Sequence, residues 1–165
     1  FFFQAEDGIR DYKVTGVETC ALPICAQRAT NLYQQTKRKE QIMDTTMMGR
    51  LIALMFLGRE LAHREHLRTK SYAQHMALNT FYDEIIDIAD SIAEAYQGRH
   101  GIIANIPMLT NDTQGAIDVV LEKQLAAIEK LRYTAVPKEE TAIQNLIDGA
   151  VELYLSTIYK LRNLS

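Results

Sequence analysis

The sequence predicts an all-α protein: a four-helix bundle with one long crossover between its second and third helices. Apolar residues recur every three or four positions in four successive segments after Thr45, which is the period of an amphipathic helix. The connections between these segments are about four, fifteen and four residues long. Short connections force antiparallel neighbours. About ten extended residues already span a helix of about 30 Å, so residues 98–112 can return along the bundle and leave the second and third helices parallel.

The first two helices are marked by apolar stripes and by their end signals. The first is expected to run from Thr45 to near Arg68, and the second from an N-cap at Ser71 to Gln97, with Gly98 in a left-handed C-terminal position. Their stripes are Met48, Leu51, Leu54, Met55, Leu61 and Ala62 in the first helix, and Leu78, Phe81, Ile85, Ala89, Ile92 and Tyr96 in the second.

The third and fourth helices follow the long connection. A cap cluster at residues 110–112 is expected to start the third helix, and Pro137 suits the first turn of the fourth. The stripes are Ile117, Val120, Leu121, Gln124, Leu125, Ile128 and Leu131 in the third helix, and Ile143, Leu146, Ile147, Ala150, Tyr154, Ile158 and Leu161 in the fourth. The connection itself is expected to pack on the bundle through Ile102, Ile103, Ile106, Met108 and Leu109.

Residues 1–42 are predicted to be a non-native leader, and residues 43–165 the bundle domain. The first 24 residues, FFFQAEDGIRDYKVTGVETCALPI, closely resemble the translated read-through of a sequencing-library adapter. The native chain is then expected to start at Met43, Met47 or Met48. The alternative is that residues 28–42 form a real polar extension of the first helix.

Composition from Met43 onward argues against several classes of protein. Lys and Arg number 12 and Asp and Glu number 16, so the net charge of this part is 12 − 16, about −4, and no basic patch remains for nucleic acid. Both cysteines, Cys20 and Cys25, lie earlier, so no disulfide framework is expected. No apolar run approaches the roughly 20 residues that span a bilayer. Motifs of hydrolases and kinases are missing.

The second helix combines histidines with a face of carboxylates. His63, His66 and His75 precede it or lie early in it, and its face opposite the apolar stripe carries Asp83, Asp87, Asp90 and Glu94. Carboxylates stacked in this way repel one another, so solvent, a cationic partner or a metal must compensate them. A solvated face is the simplest reading, with ion pairs such as Glu84 or Glu94 to Arg99 at its rim.

From Met43 onward the chain resembles a small family of tailed-phage proteins with no assigned function. The resemblance is carried by HREHLRTKSYAQH from His63, FYD from Phe81, EAYQG from Glu94, IQNLID from Ile143 and YKL from Tyr159. It places the protein in the cytoplasm of an infected bacterial host and implies a ferritin-like bundle, more distantly similar to the Dps branch of the ferritins.

The Dps resemblance implies a metal site between two subunits. That branch holds iron with a His near the end of the first helix, a His early in the second, and an Asp-x-x-x-Glu fifteen residues later. His66, His75, Asp90 and Glu94 match this pattern, with His63 an alternative to His66. Carboxylate oxygen and imidazole nitrogen suit iron or another divalent metal. Because Asp90 and Glu94 point away from the core, only a site shared by two chains of a homo-oligomer is consistent with the sequence.

Departures from the Dps pattern keep a second function open. Asn79 replaces an acid of that branch, Leu67 replaces its Trp, and the basic DNA-binding tail is missing. The implied ferroxidase-like oxidation therefore has no complete site, and no catalytic residue is assigned. The two hypotheses are divalent metal binding at a subunit interface and a non-catalytic helical interaction module that binds a phage or host protein. Neither involves nucleic acid or a membrane.

Overall fold

A computed structural model describes residues 18–110 and 115–164; for residues 18–26 and 38–44 it describes the backbone alone. Part of the predicted leader, residues 1–17, and the cap residues Asn111 and Asp112 lie outside the described residues. The same holds for the side chains of Cys20, Cys25 and Met43.

The chain divides into two compact units, Phe1–Arg38 and Lys39–Ser165. In the first unit, the side chains of residues 27–37 are all exposed, and the Thr36 hydroxyl donates within its own helix to the carbonyl oxygens of Leu32 and Tyr33. The second unit contains the predicted apolar stripes.

The described residues form four helices and no strand, so the all-α prediction is confirmed for them. The helices are α1 (Glu18–His66), α2 (Tyr72–His100), α3 (Ile117–Ala135) and α4 (Thr141–Asn163). Helix α1 begins well before Thr45, as in the alternative reading of residues 28–42 as a polar extension of the first helix.

The predicted helix ends are right at Ser71 and wrong at three other positions. The Ser71 hydroxyl accepts a hydrogen bond from the backbone N–H of Gln74, which caps α2. Helix α2 passes through Gly98 and ends where Gly101 takes a φ of 89°, because a left-handed residue is needed only after the last turn. Helix α3 starts after Ala116 without a side-chain cap. Helix α4 starts after Glu140 because residues 137–140 form a separate turn.

Ion pairs and polar contacts fix the directions of α3 and α4. Arg162 at the end of α4 pairs with Asp118 at the start of α3, at 2.9 Å. At the other end, Nε of Arg132 donates to Oε1 of Gln144 at 2.9 Å. The two helices are therefore antiparallel neighbours.

Contacts of α1 and α2 with the other helices give the directions in which they run. Gly58 of α1 lies against Gln124 of α3 and Tyr154 of α4, and Phe81 of α2 meets the Tyr154 ring edge-on at 4.8 Å. Arg50 and Leu54, which precede Gly58 in α1, share a surface pocket with Ala127 to Thr134, which follow Gln124 in α3. Helices α1 and α3 therefore run in opposite directions. Since α1 and α2 are joined by a short turn, α2 and α3 run in the same direction.

Apolar side chains from all four helices meet in one core within the second unit. The largest side chains with less than 2% exposure are Tyr96, Tyr154, Phe81, Met48, Leu51, Ile52, Met55, Leu78, Ile85, Ile92, Leu121 and Ile128. Most of the predicted stripe residues are buried, whereas Leu54, Leu61, Leu131, Leu146 and Leu161 are partly buried against the core. Burial of this apolar surface is the main stabilising term of the bundle.

The connection between α2 and α3 runs over the outer face of α1. A Cβ at Gly49 would collide with the carbonyl oxygen of Asn105, so glycine is what allows this close approach. Ile103 is buried there, but Ile102 and Met108 are 78% and 96% exposed. The expectation that the whole apolar connection packs is therefore wrong, because only one side of an extended segment can face the bundle.

Candidate functional site

The turn between α1 and α2 holds the first candidate site, a stack of two imidazole rings. The ring centroids of His66 and His75 lie 3.7 Å apart with 25° between their planes. Nδ1 of His66 lies 3.0 Å from the carbonyl oxygen of His75, and Nδ1 of His75 lies 3.1 Å from the carbonyl oxygen of His66. A carbonyl oxygen only accepts, so both Nδ1 atoms carry the proton. In the neutral rings, each Nε2 therefore keeps its lone pair.

The ring stack continues into a chain of polar contacts along α1 and α2. His63 stacks on Tyr82 with centroids 4.3 Å apart, and Tyr82 also meets the edge of His66. The Tyr82 hydroxyl donates to Oδ1 of Asn79, whose Nδ2 donates to Asp83, both at 3.0 Å. Asn79, the residue that departs from the Dps pattern, is thus a bridge between a phenol and a carboxylate.

The two carboxylates proposed as metal ligands lie far from these rings within one chain. Asp90 and Glu94 are exposed, as are Asp83 and Asp87 on the same face of α2. Fifteen residues of helix separate His75 from Asp90, which is about 22 Å. Within the described ranges, no group of three or more His, Cys, Asp or Glu side chains is placed to hold a metal ion. The four residues are not brought together in one chain, so the metal site between two chains stays a prediction.

A second polar cluster, at the opposite end of α2, is not indicated by any sequence pattern. The predicted ion pairs of Arg99 with Glu84 or Glu94 do not form. Instead, Nη1 of Arg99 lies 2.6 Å from Oε2 of Glu140 at the start of α4. His100 lies 3.9 Å from the other oxygen of Glu140 and 4.6 Å from the centroid of the Tyr96 ring. Glu140 is 40 residues away in the sequence, so only the fold joins these groups.

A polar contact in the middle of the core depends on a glycine. The hydroxyl of Tyr154 lies 3.3 Å from Oε1 of Gln124, to which it donates. Complete burial raises the pKa of the Tyr154 phenol well above its usual value, so the proton stays on the oxygen. A Cβ at Gly58 would collide with this hydroxyl and lie 2.8 Å from Oε1 of Gln124.

A groove lies on the outer face of α1. It has a volume of about 690 Å³ and lies between α1 and the connection that follows α2. Its walls are mainly apolar, with Glu60 and Arg64 toward one end. The lining residues are Ala53, Phe56, Leu57, Glu60, Leu61, Arg64, Ile106, Pro107, Met108, Leu109 and Thr110.

Comparison with known proteins identifies the family. Residues 66–161, which include all of α2 and α3, match the model of the Family of unknown function (DUF5856). The chain belongs to this family. It is also 29% identical over 115 residues to the "Uncharacterized 14.6 kDa protein in mobD-ri intergenic region" of Enterobacteria phage T4, an alignment that covers 67% of this chain and 84% of the phage protein.

These matches support the predicted bacteriophage origin of this DUF5856 protein. No solved structure matches the chain significantly. In the part of the chain that the structure describes, no helix combines the length and apolar character needed to cross a membrane.

Proposed function

We propose that this DUF5856 protein is a non-catalytic helical interaction module, and that its binding surface is the groove between α1 and the α2–α3 connection. The apolar lining of this groove carries the proposal. Met108 is 96% exposed and Ile106 is 39% exposed, while Phe56, Leu57 and Leu61 are half-buried along its floor. Covering these side chains would remove apolar surface from water, which favours association.

The shape of the groove suits a helical segment. Its floor is one face of α1, with Ala53, Leu57 and Arg64 spaced by whole turns of helix. An amphipathic helix that lies in such a groove presents anchors at positions i, i+3, i+4 and i+7. Met108, which is flexible and polarizable, can adapt to the shape of such anchors.

The experiment that tests this proposal is site-specific crosslinking. A benzophenone amino acid is incorporated at Met108, and the protein is irradiated in infected host cells. We expect a crosslinked peptide that mass spectrometry assigns to a defined protein segment. The matched control carries the same group at Ile102, which is 78% exposed on the same connection but does not line the groove. Equal crosslinking at both positions, or none at Met108, would overturn the proposal.

We also propose that the bundle is ferritin-like. Two features support this proposal: the parallel directions of α2 and α3, and a connection that runs along α1 past Gly49 and Ala53. One long crossover with these directions is typical of ferritin-like bundles.

The second candidate function is divalent metal binding, with iron as the leading candidate, at an interface between two chains. The observation that favours it is the tautomer of His66 and His75, in which Nδ1 carries the proton. Each Nδ1–H is held by a backbone carbonyl, an arrangement that orients metal-binding histidines and leaves Nε2 to bind the ion. The carboxylates of Asp90 and Glu94 would come from the other chain, and both are exposed.

Elemental analysis of the full chain after anaerobic loading with iron(II) tests the metal candidate. We expect His75→Ala and Asp90→Ala each to lose the iron and to weaken self-association. A mixture of the two variants should recover part of the iron, because a heterodimer keeps one of two symmetric sites intact. His100→Ala, at the other end of α2, is the control. A wild-type protein without stoichiometric iron would refute this candidate.

A further inference from the structure

We infer that a separate pocket between α1, α3 and the α2–α3 connection binds a small organic anion, with a carboxylate or phosphate head and a short aliphatic chain. Two cations line this pocket, Arg50 of α1 and Lys130 of α3. Beside them lies an apolar wall made by Leu54, Leu109, Ala127 and Leu131. The pocket shares only Leu109 with the α1 groove, so it is a different site from the proposed interaction surface.

The two cations lie on facing walls at nearly the same height along the bundle. Gly58 of α1 lies against Gln124 of α3, and the two helices are antiparallel. Arg50 precedes Gly58 by eight residues, so it is roughly level with the residue eight positions after Gln124. Lys130 is two residues from that level, about 3 Å along the helix axis. Both side chains are long enough to reach one anion between them.

Neither cation is neutralised within the described part of the chain. Arg50 and Lys130 are exposed, and neither pairs there with a carboxylate. No acidic residue lines the pocket. Most arginines of the second unit do pair with a carboxylate, namely Arg59, Arg68, Arg99, Arg132 and Arg162. Like charges on facing walls repel each other, and a bound anion would replace that repulsion by two attractions.

The chemistry of the cations suits a carboxylate or phosphate head. A guanidinium such as that of Arg50 can donate two parallel hydrogen bonds to the oxygens of either group. The ammonium of Lys130 adds a compact positive charge. The hydroxyl of Thr134, which lines the same pocket, can donate a further hydrogen bond.

The apolar wall favours an organic anion over an inorganic one. Leu54, Leu109 and Leu131 are half-buried, so part of each side chain still contacts water. An aliphatic chain attached to the anion would cover these surfaces, and their removal from water favours binding. Inorganic phosphate would leave them in water.

The size of the pocket favours a small molecule over a protein segment. Its volume is about 430 Å³. A helix about 10 Å across fills such a volume with about one turn. Pockets for small molecules, by contrast, measure about 300–1,000 Å³.

Nuclear magnetic resonance titration of the full chain with octanoate and with octyl phosphate, in low-salt buffer, tests the inference. We expect saturable shifts of the backbone amides of Arg50 and of residues 127–134 with at least one of the two. The tighter ligand identifies the head as carboxylate or phosphate. Octanol lacks the charge, and acetate and inorganic phosphate lack the chain, so each should bind at least tenfold more weakly than the tighter ligand.

Variants of the pocket separate the charge from the space. Arg50→Gln and Lys130→Gln should each weaken binding of the tighter ligand about tenfold. Ala127→Leu keeps both charges but fills the pocket, and should weaken binding as much. The matched controls are Lys123→Gln and Ala126→Leu, at exposed positions of α3 that do not line the pocket. The melting temperature of each variant without ligand checks that it is folded.

Four results would overturn the inference. They are shifts that do not saturate, octanol binding as tightly as the charged ligands, acetate or inorganic phosphate doing so, and unchanged binding by folded Arg50→Gln/Lys130→Gln. Arg64→Gln, in the α1 groove, distinguishes the two sites. If this variant loses binding and Arg50→Gln does not, the anion occupies the groove and the inference is wrong, while the interaction module is still tested by crosslinking at Met108.

Discussion

His66 and His75 close the turn between α1 and α2 from both sides, because each ring donates a hydrogen bond to the backbone carbonyl of the other residue. The two rings also stack on each other, at a centroid distance of 3.7 Å. His66 is also buried. Whatever else these histidines do, they hold the ends of two helices together.

The hydrogen bond of His75 should contribute measurably to stability. His75→Leu keeps an apolar body but removes the donor, and leaves the carbonyl oxygen of His66 without this hydrogen bond. We expect it to lower the free energy of unfolding by about 1–2 kcal/mol in urea denaturation. His75→Asn, which retains an N–H donor, should lose less. Equal losses in the two variants would show that stacking, and not the hydrogen bond, is what matters.

Substitution by alanine should have opposite effects on stability at two glycines that lie in helices. Gly58→Ala places a Cβ against the hydroxyl of Tyr154 and against Gln124, both buried, so we expect a loss of about 1–3 kcal/mol by urea denaturation. Gly98→Ala meets nothing within 4 Å in an exposed part of α2, and should stabilise by about 0.5–1 kcal/mol. A stabilising Gly58→Ala would show that the core can move away from α1.

The ion pairs of Arg162 should make stability depend on pH in the acid range. Its hydrogen bonds lower the pKa values of Asp118 and Glu122 in the folded protein. Groups with lowered pKa values stabilise the fold above their unfolded values, about 3.9 for Asp and 4.3 for Glu. That contribution is lost as pH falls through the lower, folded values.

Arg162→Gln tests this dependence. We expect its melting temperature to lie below that of the wild type by at most a few degrees above about pH 5, since Arg162 and Glu122 are exposed and Asp118 is only partly buried. The difference should shrink below about pH 4. Lys123→Gln, on the exposed face of α3, is the control. A difference between wild type and Arg162→Gln that is independent of pH would contradict the ion-pair explanation.

Removal of residues 1–38 should leave the melting temperature of the bundle unchanged. The described side chains of this unit, residues 27–37, are all exposed, and none belongs to the core. In contrast, Leu125→Ala or Ile147→Ala in the bundle should cost about 2–5 kcal/mol, because both side chains are buried. A fall of more than a few degrees on truncation would show that the first unit stabilises the fold.

Periodicity and local end signals in the sequence are enough to predict the four helices and most of the core. Helical periodicity alone identified Phe81, Ile128 and Ile147 as core residues, because a stripe at this spacing can be buried only as one face of a helix. It also determined the Ser71 cap, whose hydrogen bond is local in the chain. The exposure of Asp90 and Glu94 followed from the same geometry.

Contacts between residues that are distant in the sequence could not be predicted from its pattern. The reciprocal bonds of His66 and His75, the pairing of Arg99 with Glu140, and the fit of Gly58 against Tyr154 depend on how the helices pack. So does the placement of Met108 in the α1 groove, since an apolar residue in a connection can face either the core or solvent. Periodicity specifies which face of a helix is apolar; packing specifies which side chains from different helices meet.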